Sequence, residues 1–420
     1  MVRFLTKVKN WLLLRYRFFQ QDKNNIFCQV PFLHSYITIS GRPHLCCDSP
    51  TTTGDKTGMT TTSNPAFWDY WDGKYMNAVR RDMLNNVPRD ECRRCYAMEK
   101  AKGTSARITF NERHGNAILK RKHDFPIDLD IRFSNLCNLK CRMCHDGLSS
   151  QIEKEITANK NLLGEYSSRP TTTTFMSREN FNEIIDNIKN INYIKVAGGE
   201  PTIMPEVEEF LQQFINNNRH TGNNAVYLLI TTNCTNQNEK FKSLINQFDN
   251  VIFTVSFDGV GKVNEYIRFP SNFNAVEVNL KDYLQKHVCQ LNFTIQAYNL
   301  PYIQQVTQWL NNINEKHGRL DAQFSLLDQP SNLACNNLSK NFRDYYVDTY
   351  LKTINFLSPW IVNSNLKESL QILKNDSTEI SNYDFAKRTK AFDIVRNQHI
   401  KDYLPEVYTD VKNTYDSIIL

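Results

Sequence analysis

A predicted strand followed by a cysteine-rich loop decides the fold of this chain. The strand covers Ile127–Phe133, and the loop reads Ser134-Asn135-Leu136-Cys137-Asn138-Leu139-Lys140-Cys141-Arg142-Met143-Cys144-His145. Its three thiols, at C-x3-C-x2-C spacing, can surround one soft metal centre, because thiolates select zinc, copper(I) or iron–sulfur clusters. Structural zinc usually takes four protein ligands. Three cysteines on a four-iron cluster would instead leave one iron open.

Downstream of this loop, predicted strands and helices alternate, which is typical of a parallel sheet with right-handed crossovers. Six such units can close most of a barrel or form an open doubly wound sheet. The predicted strands are Ile127–Phe133, Tyr193–Val196, Ala225–Thr231, Val251–Phe257, Leu291–Ala297 and Ala322–Leu327. The predicted helices between them are Arg178–Lys189, Glu206–Asn216, Asn238–Phe248, Val278–His287 and Ile303–Lys316.

The second predicted strand runs into the turn Gly198-Gly199-Glu200-Pro201. Glycines let the backbone approach a ligand closely. Glu200 and the local carbonyls can accept hydrogen bonds from an ammonium group. Alone, this tetrapeptide is an ordinary strand-to-helix turn. Its place one strand after the cysteine loop makes it a more specific signal.

Together, the two motifs resemble those of the radical S-adenosylmethionine (SAM) enzymes. The resemblance implies a six-stranded partial (β/α) barrel, a 4Fe–4S cluster on Cys137, Cys141 and Cys144, and SAM on the open iron. The glycine motif would bind the SAM amino group. The implied chemistry is reductive cleavage of SAM to a 5′-deoxyadenosyl radical, which abstracts a hydrogen from a substrate.

Further motifs extend this resemblance to the later strands. Val255-Ser256-Phe257-Asp258-Gly259 and Tyr266-Ile267-Arg268 match the family, which implies that Ser256 and Arg268 lie near the SAM carboxylate or ribose. Gln296 is implied as a ribose contact. Met143 departs from the aromatic residue that is frequent before the third cysteine.

A second group of cysteines lies in the N-terminal third of the chain, at Cys28, Cys46, Cys47, Cys92 and Cys95. The Cys92/Cys95 pair, with Cys28 and one of Cys46 or Cys47, could form a closed four-thiolate site for zinc or for an iron–sulfur cluster. This region resembles the N-terminal twitch (SPASM-like) domain of certain radical SAM proteins. The resemblance implies an auxiliary 4Fe–4S cluster, for which we select Cys46 over Cys47.

Three further cysteines, Cys234, Cys289 and Cys335, are expected in the core, because a buried free cysteine behaves as a small hydrophobic side chain. Cys234 and Cys335 follow the third and sixth predicted strands, so both are also candidate radical hydrogen donors.

The composition is that of a soluble globular protein of two or three domains. The chain has 420 residues, of which 40% are hydrophobic and 22% charged. The predicted domains are a basic aromatic helix at 1–25, an auxiliary cluster domain at 26–120, a partial barrel at 121–335 and a helical extension at 336–420. The longest apolar runs are a few residues, such as Trp11–Leu14, which is too short for a membrane span or a secretory signal.

Most of the net charge of +6 comes from residues 1–25, which argues against a broad nucleic-acid-binding face. This segment predicts a helix packed on its own domain, with a membrane-surface or partner helix as the alternative. Eleven cysteines without an export signal favour a reducing cytoplasm.

The sequence thus predicts a cytoplasmic radical SAM oxidoreductase that modifies a peptide or protein side chain and takes electrons from a flavodoxin or ferredoxin. A nucleotide, sugar or other small-molecule substrate is the alternative within the same chemistry. A non-catalytic, metal-stapled binding protein is the alternative outside it.

Overall fold

The computed structural model describes residues 26–49, 67–102, 105–120, 125–168, 176–236, 238–318, 320–354, 365–378 and 380–420. The basic helix predicted for residues 1–25 lies outside these ranges. Among the described residues, no helix is both long and apolar enough to cross a bilayer.

The strands form one mostly parallel sheet in the order β2-β1-β3-β4-β5-β6-β7-β8. Their bounds are β1 His34–Ile37, β2 Pro43–His44, β3 Asp128–Arg132, β4 Tyr193–Ala197, β5 Tyr227–Thr232, β6 Asn250–Phe257, β7 Val288–Ile295 and β8 Leu320–Leu326. The six predicted strands are all present as β3 to β8, and among the described residues β1 and β2 extend the same sheet to eight strands. The alternation of apolar and polar residues explains their formation, since β6 buries every second side chain, from Val251 to Phe257.

The two additional strands come from the region that the sequence placed in a separate N-terminal domain. β1 pairs with β2 in a hairpin and then runs parallel to β3, with Tyr36 opposite Asp130. The pairing of β1 with β3 in the central sheet was not predicted from the sequence. Cys46 and Cys47 follow β2 closely.

Helices cover the intervening segments and the C-terminal part of the chain. Their bounds in the first half are α1 Val30–Leu33, α2 Phe67–Trp71, α3 Lys74–Leu84, α4 Arg93–Lys102, α5 Ala106–His114, α6 Ala117–Lys120, α7 Ser150–Ala158, α8 Lys160–Leu163, α9 Arg178–Asp186 and α10 Pro205–Asn216. In the second half they are α11 Glu239–Ile245, α12 Lys262–Ile267, α13 Phe273–Leu284, α14 Ile303–His317, α15 Lys340–Thr353, α16 Leu366–Asn375, α17 Tyr383–Arg396, α18 Ile400–Tyr403 and α19 Pro405–Ser417.

Two element boundaries differ from the sequence prediction for identifiable reasons. α13 begins five residues before the predicted Val278, because the Asn272 side chain caps it by accepting a hydrogen bond from Ala275 N. β7 begins at Val288 and ends before Gln296, whose backbone N–H donates to Asn299 Oδ1 and starts a turn.

The chain divides into two compact units. The described parts of residues 1–134, 173–196 and 209–228 form unit 1. The described parts of residues 135–172, 197–208 and 229–420 form unit 2. Unit 2 contains Cys137, Cys141 and Cys144, and unit 1 contains the N-terminal group of cysteines.

A buried His–Asp–His group holds β1, β3 and α5 together within unit 1. His34 Nδ1 and His114 Nε2 lie 2.7 and 2.8 Å from the two carboxylate oxygens of Asp128. All three side chains are buried. Burial by itself would raise the pKa of Asp128, but the charges and hydrogen bonds of the two histidines outweigh it and hold that pKa well below its usual value.

This depressed pKa predicts an acid-dependent stability. An aspartate titrates at about 3.9 in an unfolded chain. Asp128 therefore stabilises the fold above that pH, and the contribution is lost as the pH falls further towards the folded-state pKa. We expect Asp128→Asn to lower the unfolding free energy by about 3 kcal/mol at pH 7. The difference in unfolding free energy between this variant and wild type should narrow below about pH 4. Urea unfolding from pH 7 to pH 3 measures this, and a pH-independent difference would contradict it.

Candidate active site

The loop that carries Cys137, Cys141 and Cys144 is tied to the start of α7 by serine hydroxyls. Ser149 Oγ donates to Leu139 O at 2.7 Å, and Cys137 N donates to Ser150 Oγ at 3.2 Å. Ser149 is also the cap of α7, since its hydroxyl accepts from Ile152 N. The loop conformation is thus set by the helix that follows it.

The three thiols of this loop lie close together in a buried cluster. Cys137 and Cys141 are buried, and Cys144 and Met143 pack against them. Burial raises the pKa of Cys137 and of Cys144 to about 12, and the neighbouring thiols of the loop act in the same direction. Without a metal, neighbouring thiols of this kind raise one another's pKa and stay protonated. A bound metal cation stabilises the thiolate form instead.

This donor set fits a soft metal cluster. It consists of thiols alone, and the Leu139 backbone N–H donates to Cys137 Sγ at 3.4 Å. Among the described residues, no group of three or more His, Cys, Asp or Glu side chains is placed to hold a single metal ion.

A backbone segment after α12 runs alongside the cysteine loop. Lys140 N donates to Phe269 O at 2.6 Å, and Arg142 N donates to Ile267 O at 2.8 Å. Between these contacts, Arg268 places Nη1 3.9 Å from Cys141 Sγ. Burial raises the pKa of the Cys141 thiol, and the Arg268 charge opposes this rise.

Arg268 is oriented by a buried carboxylate that the sequence had left without a role. Its Nε lies 2.6 Å from Asp258 Oδ2, and Asp258 is fully buried after β6. Asp258 Oδ1 accepts from Thr294 N at 3.3 Å. The Ser-x-Asp-Gly motif therefore supplies a partner for Arg268, and Arg268 in turn faces a thiol of the cysteine loop.

The Gly198–Pro201 turn packs directly on the backbone that precedes Cys137. Glu200 N donates to Leu136 O at 2.8 Å. A Cβ on Gly199 would lie 2.1 Å from the same oxygen, and Gly198 has a φ of +122°. Only glycine fits at these two positions without a shift of the backbone. The turn and the cysteine loop are therefore coupled through Leu136.

Both oxygens of the Glu200 carboxylate accept hydrogen bonds from the protein. Oε1 accepts from the hydroxyls of Thr202 and Thr232, each at 2.7 Å, and Oε2 accepts from Asn233 N at 2.6 Å. Glu200 is 1% exposed, and burial raises its pKa. Its side chain thus joins the turn to the end of β5, a role that the sequence did not reveal.

The remaining sequence-predicted contacts lie on or just after strands of unit 2. Ser256 is half-buried on β6, opposite Asn292. Gln296 is fully buried, and its Oε1 has no hydrogen-bond partner among the described residues. Both candidate hydrogen donors are buried thiols. Cys234 Sγ lies 3.8 Å from Val276 O, and burial raises the pKa of Cys335 to about 12.

A buried arginine within the cysteine loop connects it to the C-terminal helices. Arg142 Nη2 donates to Asp393 Oδ1 at 2.5 Å, and its guanidinium stacks 3.6 Å from the centre of the Tyr266 ring. The hydroxyls of Tyr266 and Tyr415 donate to Asp393 at 2.7 and 2.8 Å. No motif in the sequence predicted this contact of Arg142.

A second arginine contact supports the same loop. Arg396 Nη2 donates to Lys140 O and to Glu155 Oε2, each at 2.7 Å. Arg396 and Glu155 are both buried. Residues of the C-terminal extension therefore bind the backbone of the cysteine loop directly.

The N-terminal cysteines gather within unit 1. Burial raises the pKa of Cys28 to about 12, and the nearby thiols of Cys92 and Cys95 raise it further. The pKa of Cys46 is also raised, first by burial and then by Cys28 and Cys47. Cys28 therefore lies near Cys92 and Cys95, and Cys46 lies near Cys28 and Cys47.

Cys47 has a different environment from Cys46. Burial raises its pKa, and its next strongest neighbours are Asp130 and Lys195, which lie on β3 and β4. Cys47 is also the more exposed of the two cysteines. Cys46 and Cys47 thus differ in their surroundings, and the selection of Cys46 over Cys47 stays a prediction.

The comparison with known families identifies the segment that carries the cysteine loop. Residues 131–298 match the family model described as "Radical SAM superfamily". No curated protein sequence matches the chain.

Several solved structures overlap with the chain at low similarity. "Native anSMEcpe with bound AdoMet" is 18% identical over 55% of this chain and 62% of that chain, with a TM-score of 0.40. Streptococcus suis SuiB bound to S-adenosylmethionine is 14% identical over 68% of this chain and 61% of that chain, with a TM-score of 0.37. SuiB bound to precursor peptide SuiA is 16% identical over 80% of this chain and 71% of that chain, with a TM-score of 0.37. The chain covers less than two thirds of the length of the first of these structures.

Proposed function

The chain contains a radical SAM domain, which indicates a radical SAM enzyme, and we propose that it reductively cleaves SAM to abstract a hydrogen from a substrate. The observation that carries the proposal is the buried cluster of three thiols at Cys137, Cys141 and Cys144, packed beside the Gly198–Pro201 turn. A 4Fe–4S cluster held by these thiolates would supply the electron and an open iron for SAM.

The residues of this site then have separate tasks. Ser149 and Ser150 hold the loop in its conformation, and Arg268 donates towards Cys141 Sγ while Asp258 orients it. The backbone of the Gly198–Pro201 turn is proposed to bind the SAM amino group. Ser256, Arg268 and Gln296 are proposed to contact its carboxylate or ribose, and the unpartnered Gln296 Oε1 offers a free acceptor for such a contact.

The substrate is proposed to bind on the polar face of the β6–β7 pair. Parallel sheets covered on both faces read as continuous hydrophobic runs. On one face of this pair, apolar Ile252 and Val288 near the starts of the strands are followed by five half-buried polar side chains, with Thr254 opposite Gln290 and Ser256 opposite Asn292. Such a face suits a ligand with many hydrogen-bonding groups. These positions are Thr254, Ser256, Gln290, Asn292 and Thr294.

A peptide or protein side chain is our first choice of substrate, in keeping with the resemblance of the N-terminal region to a twitch (SPASM-like) domain. A nucleotide, sugar or other small molecule remains the alternative. The curvature of the sheet into a partial barrel, the domain bounds given above and a cytoplasmic location with flavodoxin or ferredoxin as donor belong to the same proposal.

The N-terminal thiols are proposed to hold an auxiliary 4Fe–4S cluster that accepts or relays an electron. The four ligands would be Cys28, Cys46, Cys92 and Cys95, whose mutual effects on their pKa values support a shared site. Arg107 links segments of this region by hydrogen bonds. Its Nε donates to Glu99 Oε1 at 2.9 Å, and its Nη1 donates to Phe27 O at 2.9 Å. Structural zinc is the alternative occupant.

The test is the formation of 5′-deoxyadenosine and methionine from SAM by anaerobically reconstituted protein and dithionite. We expect wild type to form both products. The amount of 5′-deoxyadenosine should increase when the pool that contains the substrate, peptides or metabolites, is added. Their absence from protein with full cluster content would contradict the proposal and favour a non-catalytic, metal-stapled binding protein.

A further inference from the structure

A buried arginine on α17, Arg388, caps the cysteine loop from the C-terminal side. Its Nη2 donates to Arg142 O at 3.0 Å, within the segment between Cys141 and Cys144. The guanidinium lies 4.9 Å from the centre of the Tyr166 ring and 5.2 Å from that of Phe392. Arg388 is 5% exposed, so its charge is removed from water.

Arg388 differs from the other arginines around this loop in having no counter-ion. Three neighbouring arginines each face a carboxylate at 2.5 to 2.7 Å. Across the described ranges of the chain, no carboxylate forms an ion pair with Arg388, and its Nε has no hydrogen-bond partner. The three paired sets are Arg142–Asp393, Arg268–Asp258 and Arg396–Glu155.

A buried, unpaired cation is costly, and here its neighbours increase the cost. Moving a charge into the protein interior without a partner costs several kcal/mol. Burial lowers the pKa of Arg388, and the charges of Arg396 and Arg142 act in the same direction, whereas Tyr298 and Tyr166 oppose the decrease. The stacking on aromatic rings compensates in part. An anionic group bound by the adjacent loop would supply the missing counter-charge.

We propose that Arg388 is the counter-charge of the iron–sulfur cluster on Cys137, Cys141 and Cys144, and that it sets how readily this cluster accepts an electron. This inference rests on the proposed function. Three thiolates outweigh the positive charge of the oxidised core that they hold, so the assembly is anionic, and reduction makes it more so. A fixed cation beside the loop stabilises the reduced form, since net charge near a cluster sets its potential.

The test compares charge-removing and charge-keeping variants of the reconstituted holoenzyme. Arg388→Gln keeps a donor for Arg142 O but removes the charge, whereas Arg388→Lys keeps the charge. Arg343→Gln is the matched control, because Arg343 is also fully buried and its guanidinium donates to backbone carbonyls, Thr378 O and Asp376 O, with no carboxylate partner among the described residues. The cluster is titrated with dithionite at defined potentials and followed by electron paramagnetic resonance.

We expect Arg388→Gln to lower the ratio of reduced to oxidised cluster at a fixed potential by about tenfold, the order expected for one unit charge near a buried centre. Arg388→Lys and Arg343→Gln should stay within about twofold of wild type, since neither removes a charge beside the loop. We also expect the gain in melting temperature on cluster loading to be smaller for Arg388→Gln than for Arg388→Lys.

Two outcomes would overturn the inference. One is an unchanged reduction ratio in Arg388→Gln. The other is an equal loss of cluster binding in the Gln and Lys variants, which would make Arg388 a purely structural residue. If Arg388→Gln does not fold, Arg388→Met removes the charge and keeps the stem packed on Tyr166 and Phe392. Wild-type protein that takes up no iron would instead refute the proposed function, which is a separate result.

Discussion

Replacing Cys137, Cys141 and Cys144 together by alanine is expected to lower the iron content of the reconstituted protein from about eight to about four atoms per chain, with acid-labile sulfide falling in parallel. The three thiols form one buried cluster in unit 2, and their removal leaves no thiol donor in that loop. The N-terminal thiols lie in unit 1, outside the altered loop, and should keep their iron. SAM cleavage should be lost completely. Metal analysis after anaerobic purification measures this directly.

A matched pair of variants serves as the control for the second site. Cys46→Ala should remove the auxiliary iron, whereas Cys47→Ala should keep it, because Cys46 lies near Cys28 and the strongest neighbours of Cys47 are Asp130 and Lys195. About four irons and about one zinc in wild type would keep the radical enzyme but make the N-terminal site structural. Zinc without iron in every variant would rule out the radical SAM function.

Replacing Gly199 by alanine is expected to weaken SAM binding by about 100-fold, because a displacement of about 1 Å in a binding site costs this much. The new Cβ would lie 2.1 Å from Leu136 O and 2.8 Å from Asn135 C. Both are backbone atoms, so no side chain can rotate away, and the chain before Cys137 must move. The unfolding free energy should fall by about 2 kcal/mol, the usual cost of overpacking.

Gly164→Ala provides the control for this substitution. Gly164 has a φ of −59°, and an added Cβ would meet no atom within 4 Å. This variant should bind SAM as wild type does. Equilibrium dialysis of the holoenzyme with labelled SAM measures the dissociation constant, and equal affinity in Gly199→Ala and wild type would show that the turn does not need its close approach to Leu136.

The sequence predicted the parts of this protein that depend on neighbouring residues. The alternation in β3 to β8 defined six strands, and the C-x3-C-x2-C spacing placed three thiols on one short loop. Both patterns are local, since a strand repeats every two residues and the loop spans only residues 137–144. Boundaries such as the start of α13 were missed because a single cap residue decided them.

Only the tertiary structure decided how distant segments complete the site. Arg142 meets Asp393 across 251 residues, and Glu200 satisfies donors at the end of β5, 32 and 33 residues away. Neither pairing leaves a periodic pattern in the sequence, because the partners meet only through the packing of whole helices and strands. The same holds for β1 beside β3, for the different surroundings of Cys46 and Cys47, and for Arg388. A missing counter-ion becomes visible only when every neighbour of a buried charge is known.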